Sequence, residues 1–185
     1  MKCKLSPYLV LLLSVAVYAG FWREVLLFSA AALLHEAGHL TALYALGVPI
    51  RSLHLGLRGA VLETGPCPRD RELLAAAAGP AVNLLCGLWL PKSWLFCQLH
   101  WLLLLYNLLP VYPLDGGRLL YCLLAGRLPA DALDRVLFVL RIFNCGAAVF
   151  IACYLAFQRN FGLYPLIPAG FLVGNCLFLA KDQPP

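Results

Sequence analysis

Charged residues are scarce in this chain of 185 residues, making up 12% of it, whereas a soluble domain averages about 25%. Hydrophobic residues make up 62%, and apolar runs of about 20 residues, long enough to cross a bilayer as helices, recur along the chain. The shortage of charge excludes an ordinary soluble domain. It predicts an all-α polytopic membrane protein in a lipid bilayer.

Basic clusters, cysteine pairs and internal repeats are also missing. The formal charge is +5, but the basic residues are scattered and have no aromatic platform among them, so we expect no nucleic-acid partner. The eight cysteines form no C-x-x-C pair, and most fall in apolar stretches, where cysteine acts as a small buried hydrophobic residue. No low-complexity linker appears, so we expect one domain over residues 1–185.

Six apolar stretches are candidate membrane spans. The first follows two lysines as a signal peptide would, but a second span begins almost at once, so we expect the first to be retained. The fourth is too long for one helix, and we expect the prolines and glycines of NLLPVYPLDGG to break it near 110–117. The predicted spans are 7–22, 25–47, 71–91, 94–124, 134–157 and 160–180.

The distribution of Lys and Arg predicts the orientation of these spans. With a cytoplasmic N-terminus, ten basic residues fall inside and three outside, while Arg141 lies within a span. This is the bias of the positive-inside rule. We therefore predict that both termini are cytoplasmic and that the second span carries its polar residues towards the cytoplasmic side.

Three ionisable side chains interrupt the second span in the motif HEAGH. On a helix, His35 and His39 lie one turn apart on one face and can bind one Zn²⁺, while Glu36 is placed to act as a general base. Ionisable residues inside a span are costly and usually functional. The alternative is a polar cluster that neighbouring helices satisfy, but such clusters more often use Ser, Thr or Asn.

A catalytic zinc normally has a third protein ligand. Asp115 and Glu36 are the acidic residues at the predicted membrane depth, and Asp115 is followed by two glycines that would allow a close approach to a metal. The alternative is that Asp115 caps the helix that follows a proline-rich break. Its combination with HEAGH favours a metal ligand.

Three motifs together resemble the site-2 protease family of intramembrane zinc metalloproteases. They are HEAGH, AAGPAVNLLCG at 77–87 and NLLPVYPLDGGR, which occur in the family's order. The resemblance covers about residues 25–125 and is strongest to the compact bacterial branch typified by stage IV sporulation protein FB. We expect neither a PDZ nor a CBS domain.

The resemblance implies one Zn²⁺ per chain and a role for each matching residue. His35, His39 and Asp115 would bind the zinc, and Glu36 would be the catalytic acid and base. Asn83 and Asn107 would lie near the zinc and bind substrate or stabilise the oxyanion. Interhelical hydrogen bonding is the alternative for both asparagines.

The function implied is zinc-dependent cleavage of a membrane-embedded or membrane-associated protein, such as a pro-sigma or anti-sigma factor, with room for inhibitory membrane partners. The alternative is a zinc-binding membrane protein without protease activity, either a transporter or a pseudoprotease that binds other membrane proteins. A transporter would more plausibly spread its ligands over repeated halves, and no second ligand set is present in the sequence.

Alternating residues in PIRSLHLGLRGAVLETG, 49–65, predict a β-hairpin between the second and third spans, at the cytoplasmic membrane surface. An edge strand there would bind an unwound substrate through main-chain hydrogen bonds. The alternative is an ordinary surface hairpin, and we interpret His54 as a surface residue. His100 could share a helix face with Asn107, but we do not include it in the site.

Overall fold

The computed structural model describes residues 2–56, 59–112, 114–157, 166, 169–170 and 172–174, with the backbone alone at 2–3 and 59–60. The chain divides into two compact units, residues 1–108 and 109–185. The first contains β1 (Lys2–Leu5), α1 (Pro7–Tyr18), α2 (Trp22–Ala45), β2 (Ile50–Gly56), β3 (Gly59–Thr64), α3 (Arg69–Trp89) and α4 (Leu95–Asn107). The second contains α5 (Asp115–Leu124) and α6 (Ala130–Phe157).

Three of the described helices are long and apolar enough to cross a bilayer: α2 with 24 residues, α3 with 21 and α6 with 28. They correspond to the predicted second, third and fifth spans. Helices α1 and α4 are apolar but have 12 and 13 residues, or about 18–20 Å at 1.5 Å per residue, against a hydrocarbon core of about 30 Å. The predicted sixth span falls mostly outside the described residues.

The predicted break in the fourth stretch is present, but its position differs from the prediction. Helix α4 ends at Asn107 and α5 begins at Asp115. Pro110 lies between them and cannot donate a helical hydrogen bond. Gly116 and Gly117 belong to the first turn of α5 rather than to the break.

The segment between α2 and α3 forms two antiparallel strands, β2 and β3, with Leu53 opposite Leu62. A third strand, β1, pairs in parallel with β2, so the order in the sheet is β1-β2-β3. Strand β1 was not predicted from the sequence. Four residues are too few to show a strand alternation, and their partner strand lies about 50 residues further along the chain.

One polar pair joins β2 to β3. The Ser52 hydroxyl donates a hydrogen bond to Oε2 of Glu63. This bond lowers the pKa of the Glu63 carboxyl below its ordinary value of 4.5; burial opposes the shift, and the charges of His54, Lys4 and Arg51 reinforce it. The Glu63 side chain is nevertheless 60% exposed, and Nε2 of His54 lies 3.8 Å from its Oε1.

A small apolar core attaches the sheet to the end of α2 and the start of α3. Its buried members are Leu43, Val48 and Ala75, around which Leu46, Ile50, Leu62 and Cys67 pack. Arg71 adds a polar contact, since its Nη1 donates to the Leu46 carbonyl at 3.0 Å. These contacts hold the end of α2, just after the HEAGH motif, against the start of α3.

Glycines bring the helices of the first unit close together. A Cβ at Gly38 would lie 2.8 Å from the Ala78 carbonyl oxygen, so α2 and α3 approach backbone to backbone. On the other side of α3, Trp101 of α4 donates its Nε1–H to the Gly87 carbonyl at 3.1 Å. Small residues permit such close packing between apolar helices. Helix α3 therefore lies in contact with both α2 and α4.

Candidate metal centre

The two histidines of HEAGH point their ring nitrogens at each other. His35 and His39 are each 4% exposed, and their Nε2 atoms lie 3.1 Å apart. Two nitrogens that bind one tetrahedral zinc at about 2.0–2.1 Å lie about 3.3 Å apart. The i, i+4 spacing on α2 therefore places both Nε2 atoms where one metal ion can take a lone pair from each.

The position of the His39 proton is set by α3. Nδ1 of His39 lies 2.7 Å from the Ala75 carbonyl oxygen. A carbonyl only accepts, so Nδ1 carries the proton and Nε2 keeps its lone pair. Donation from a ligating histidine to a carbonyl is a common support of protein metal sites.

Gly79 provides the space that the two imidazoles occupy. A Cβ at this position would lie 2.3 Å from Nε2 of His39 and 2.7 Å from Cε1 of His35. No side chain larger than hydrogen fits there without moving both rings. In the sequence, Gly79 is recognisable only as part of the motif at 77–87, and the structure gives the steric reason for it.

Asn83 lies one turn beyond Gly79 and contacts His35 directly. Its side chain is 0% exposed, and its Nδ2 lies 2.9 Å from Nδ1 of His35. Its Oδ1 lies 2.9 Å from Nδ1 of His100 on α4. The amide therefore links the HEAGH motif to a third histidine, which the sequence analysis left out of the site. The available signal was an ionisable residue within a predicted span.

The other two predicted site residues of the first unit, Glu36 and Asn107, are partly exposed. Glu36 follows His35 on α2 and is half-buried, as is Asn107 at the last residue of α4. The structure thus brings His35, His39 and Asn83 together and leaves Glu36 partly open. The predicted role of Asn107 in binding substrate or the oxyanion stays a prediction.

Asp115 belongs to the second unit. It is the first residue of α5, with Leu114 rather than Asp115 at the N-cap, and it is 7% exposed. Nη1 of Arg118 lies 4.0 Å from its Oδ1, and the positive end of the helix dipole also favours an ionised carboxylate there. The interpretation of Asp115 as an N-cap is therefore wrong.

Gly117 has a packing role that differs from the predicted one. A Cβ there would lie 2.3 Å from the Tyr112 nitrogen and 2.4 Å from the Val111 carbonyl carbon. The glycine therefore allows the preceding loop to fold against the first turn of α5. This packing fixes the direction in which the chain enters the helix at Asp115.

Comparisons with known proteins identify two curated relatives of the chain. The chain is 25% identical over 154 residues to stage IV sporulation protein FB of Bacillus subtilis, a match that covers 74% of the chain and 52% of that protein. It is 28% identical over 135 residues to zinc metalloprotease MJ0392 of Methanocaldococcus jannaschii, covering 64% of the chain and 40% of that protein. The chain thus spans about half the length of the curated relatives it matches. No protein-family model matches.

The fold also has a counterpart among solved structures. The site-2 protease from Methanocaldococcus jannaschii aligns with a TM-score of 0.59 at 22% identity, covering 91% of this chain and 86% of that one. At this identity the likeness concerns the fold.

Proposed function

We propose that this chain, which is similar in sequence to stage IV sporulation protein FB and zinc metalloprotease MJ0392 and in fold to a site-2 protease, is a zinc-dependent intramembrane endopeptidase of the site-2 protease family. The observation that carries this proposal is the pair of buried imidazoles whose Nε2 atoms lie 3.1 Å apart, with the proton of His39 held on its other nitrogen by Ala75. Glu36, the acidic residue of the same motif, is next to His35 on α2.

The proposed zinc ligands are His35, His39 and Asp115. Two imidazole nitrogens and a carboxylate oxygen form a donor set that catalytic zinc takes, with a further position left for water or substrate. All three residues are buried, and burial of such groups is costly unless they are paired or bind a metal. The motif containing Asp115 supports its inclusion, as does the ionised form that the start of α5 favours.

Zinc in this position would polarise the scissile carbonyl and acidify water. Glu36 accepts the proton of the attacking water and returns it to the nitrogen of the leaving strand, so that the peptide bond breaks with no net proton change. Its half-buried side chain suits this exchange because a general base needs access to water. Asn107 is proposed to bind the substrate backbone or the oxyanion.

The substrate proposed is a protein within or beside the bilayer. A helical substrate protects its peptide bonds by internal hydrogen bonds, so a segment must unwind before cleavage. Strand β3 lies at one edge of the sheet and carries the exposed side chains Val61 and Glu63. An unwound segment can pair with that edge through main-chain hydrogen bonds. A pro-sigma or anti-sigma factor in a sporulating bacterium is the substrate that the family resemblance suggests.

The location proposed is a bacterial cell membrane with six spans and cytoplasmic termini. The support is the positive-inside bias of ten basic residues to three, together with three described helices of spanning length. In this arrangement the active site opens towards the cytoplasmic side. Inhibitory membrane partners are compatible with this arrangement. Cysteines introduced at positions 2 and 181 would test the placement of the termini through their accessibility to a reagent in intact cells.

The proposed activity is tested with Glu36→Gln, which keeps the size of the side chain but cannot accept a proton. We expect cleavage of a co-expressed membrane-protein substrate to fall by about 100-fold or more, while about one zinc per chain is retained. Glu24→Gln is the matched control, since Glu24 lies in the first turn of the same helix, and it should cleave normally. Metal content and substrate fragments are measured on the same preparations.

Two outcomes would contradict the proposal in different ways. Normal cleavage by Glu36→Gln would exclude the mechanism. Zinc in the wild type without any cleavage would instead favour the non-proteolytic zinc protein. Asp115→Asn separately tests the third ligand, with Asp131→Asn in the first turn of α6 as its control. Unchanged zinc affinity in Asp115→Asn would remove this carboxylate from the ligand set.

A further inference from the structure

His100 is a buried polar residue that the proposed reaction does not use. Its side chain is 0% exposed, and the ring of Phe96, one turn earlier on α4, packs edge-on against it with centroids 4.6 Å apart. Nδ1 faces Asn83 at 2.9 Å. Nε2 is buried and has no hydrogen-bond partner among the described residues. A polar group kept at this cost calls for an explanation.

The contacts of Asn83 explain why a histidine is buried at position 100, and this explanation rests on the proposed zinc site. A neutral imidazole that gives the lone pair of Nε2 to a metal carries its proton on Nδ1. In His35 that proton points at the Asn83 amide, 2.9 Å away. The amide must then present its oxygen, because its NH₂ group would place two donors against each other. In the structure the amide nitrogen faces His35 and the oxygen faces His100; a half-turn of the amide exchanges oxygen and nitrogen without moving any other atom.

The orientation of the amide determines what His100 must do. With the oxygen of Asn83 towards His35, the nitrogen points at Nδ1 of His100, 2.9 Å away on the other side. Only a ring with its lone pair on Nδ1 and its proton on Nε2 accepts that bond. An imidazole in this tautomer therefore satisfies the amide orientation that His35 requires, with the proton of His100 on Nε2. A hydrophobic residue at position 100 would leave the amide nitrogen buried without an acceptor.

We propose that His100 is a positioning residue for the metal centre: its Nδ1 accepts from the Asn83 amide and so holds the amide oxygen against the Nδ1–H of His35. The series of hydrogen bonds runs from His100 to Asn83 and from Asn83 to His35, which would bind the metal. His39 has the equivalent support from the Ala75 carbonyl, which cannot flip. An amide can flip, and the hydrogen bond to Nδ1 of His100 stabilises the orientation that His35 requires.

The first test measures zinc affinity by chelator competition and the absorption spectrum of the cobalt(II)-substituted protein. His100→Leu should weaken zinc binding by about tenfold, at the lower end of the effects seen for residues behind a ligand, and change the cobalt bands. His100→Asn should restore the wild-type affinity and spectrum, since its Oδ1 occupies the place of Nδ1. Failure of His100→Asn to recover either would overturn the proposal.

The second test replaces the Asn83 amide with a group that has the same hydrogen-bonding atoms in both orientations. Asn83→Asp provides a carboxylate, which accepts on both sides and has no wrong orientation. In this background, adding His100→Leu should change zinc affinity by less than about twofold, in contrast to the loss of about tenfold in the Asn83 background. A loss of tenfold in both backgrounds would show that His100 acts through packing alone, and the proposal would be wrong. A wild type that binds no zinc would instead overturn the proposed function.

Discussion

Helices α3 and α6 contain the same two unusual residue types and use them differently. Both are long, apolar and candidate membrane spans, and each has a glycine and an asparagine in its middle. In α3, a Cβ at Gly79 would clash with His35 and His39, whereas a Cβ at Gly146 of α6 has nothing within 4 Å among the described residues. Asn83 contacts histidines on two other helices. Asn144 donates to the Leu140 carbonyl of its own helix at 2.8 Å.

The difference lies in what surrounds each helix. In the most apolar part of α3, 33% of the residues are buried, against 11% in α6. A partly buried asparagine on a sparsely packed helix satisfies itself on the preceding turn, while one buried between packed helices must find partners on its neighbours. The same composition therefore gives a structural residue in one helix and part of a candidate metal centre in the other.

The largest expected effect comes from replacing Gly79 of α3, with Gly146 of α6 as its counterpart. Gly79→Ala should weaken zinc binding by more than about 100-fold and abolish cleavage, because the added methyl group must displace both imidazoles. Gly146→Ala should stay within about twofold of the wild type in both respects. Chelator competition and a cleavage assay measure the pair. Similar effects of the two substitutions would remove the steric difference that we assign to α3 and α6.

Replacing the two asparagines should have the next largest effect. Asn83→Ala should lower zinc affinity by about 10- to 100-fold, because His35 loses the group that orients its ring. Asn144→Ala removes only a bond to its own helix and should change unfolding stability by about 0.5 kcal/mol or less. Zinc affinity and thermal unfolding in detergent are measured for both. A loss of zinc in Asn144→Ala would contradict the comparison.

Arg141 offers a smaller test within α6. Its Nε is buried without a hydrogen-bond partner among the described residues, and a cation within a span is costly. Arg141→Leu should leave zinc content unchanged and alter stability by about 1 kcal/mol at most, in the stabilising direction. Thermal unfolding and metal analysis measure the outcome. Loss of zinc would mean that α6 also supports the metal centre and would contradict the difference between α3 and α6.

The smallest effect is expected outside both helices, at Glu63 on β3. Its pKa is lowered in the folded protein, so its ionised form stabilises the fold above the ordinary pKa of 4.5, and that contribution disappears as the pH falls through the folded value. Glu63→Gln should therefore lower stability slightly at pH 7 and converge with the wild type in acid. Thermal unfolding of both proteins from pH 7 into acid measures the difference in stability, and we expect the zinc content at pH 7 to be the same in both. A gap that widens in acid would have the wrong sign.

The motif HEAGH could be interpreted correctly from sequence because its geometry is local. The i, i+4 spacing on one helix is enough to place two imidazoles on one face, and the structure brings their Nε2 atoms to 3.1 Å. The helices α2, α3 and α6 could be predicted for the same reason, since length and hydropathy are properties of one segment. Strand β1 could not, because its pairing with β2 depends on residues far along the chain.

Sequence by itself determined the donor types, their spacing along α2 and the apolar character of the helices, all of which depend on neighbouring residues in the chain. Only the tertiary structure decided that Gly79 makes room for the rings, that the Ala75 carbonyl sets the proton of His39, and that His100 reaches Asn83. The physical reason is that hydrogen bonds and steric contacts act over a few ångströms in space. Partners from α2, α3 and α4 meet at that distance only after the helices pack.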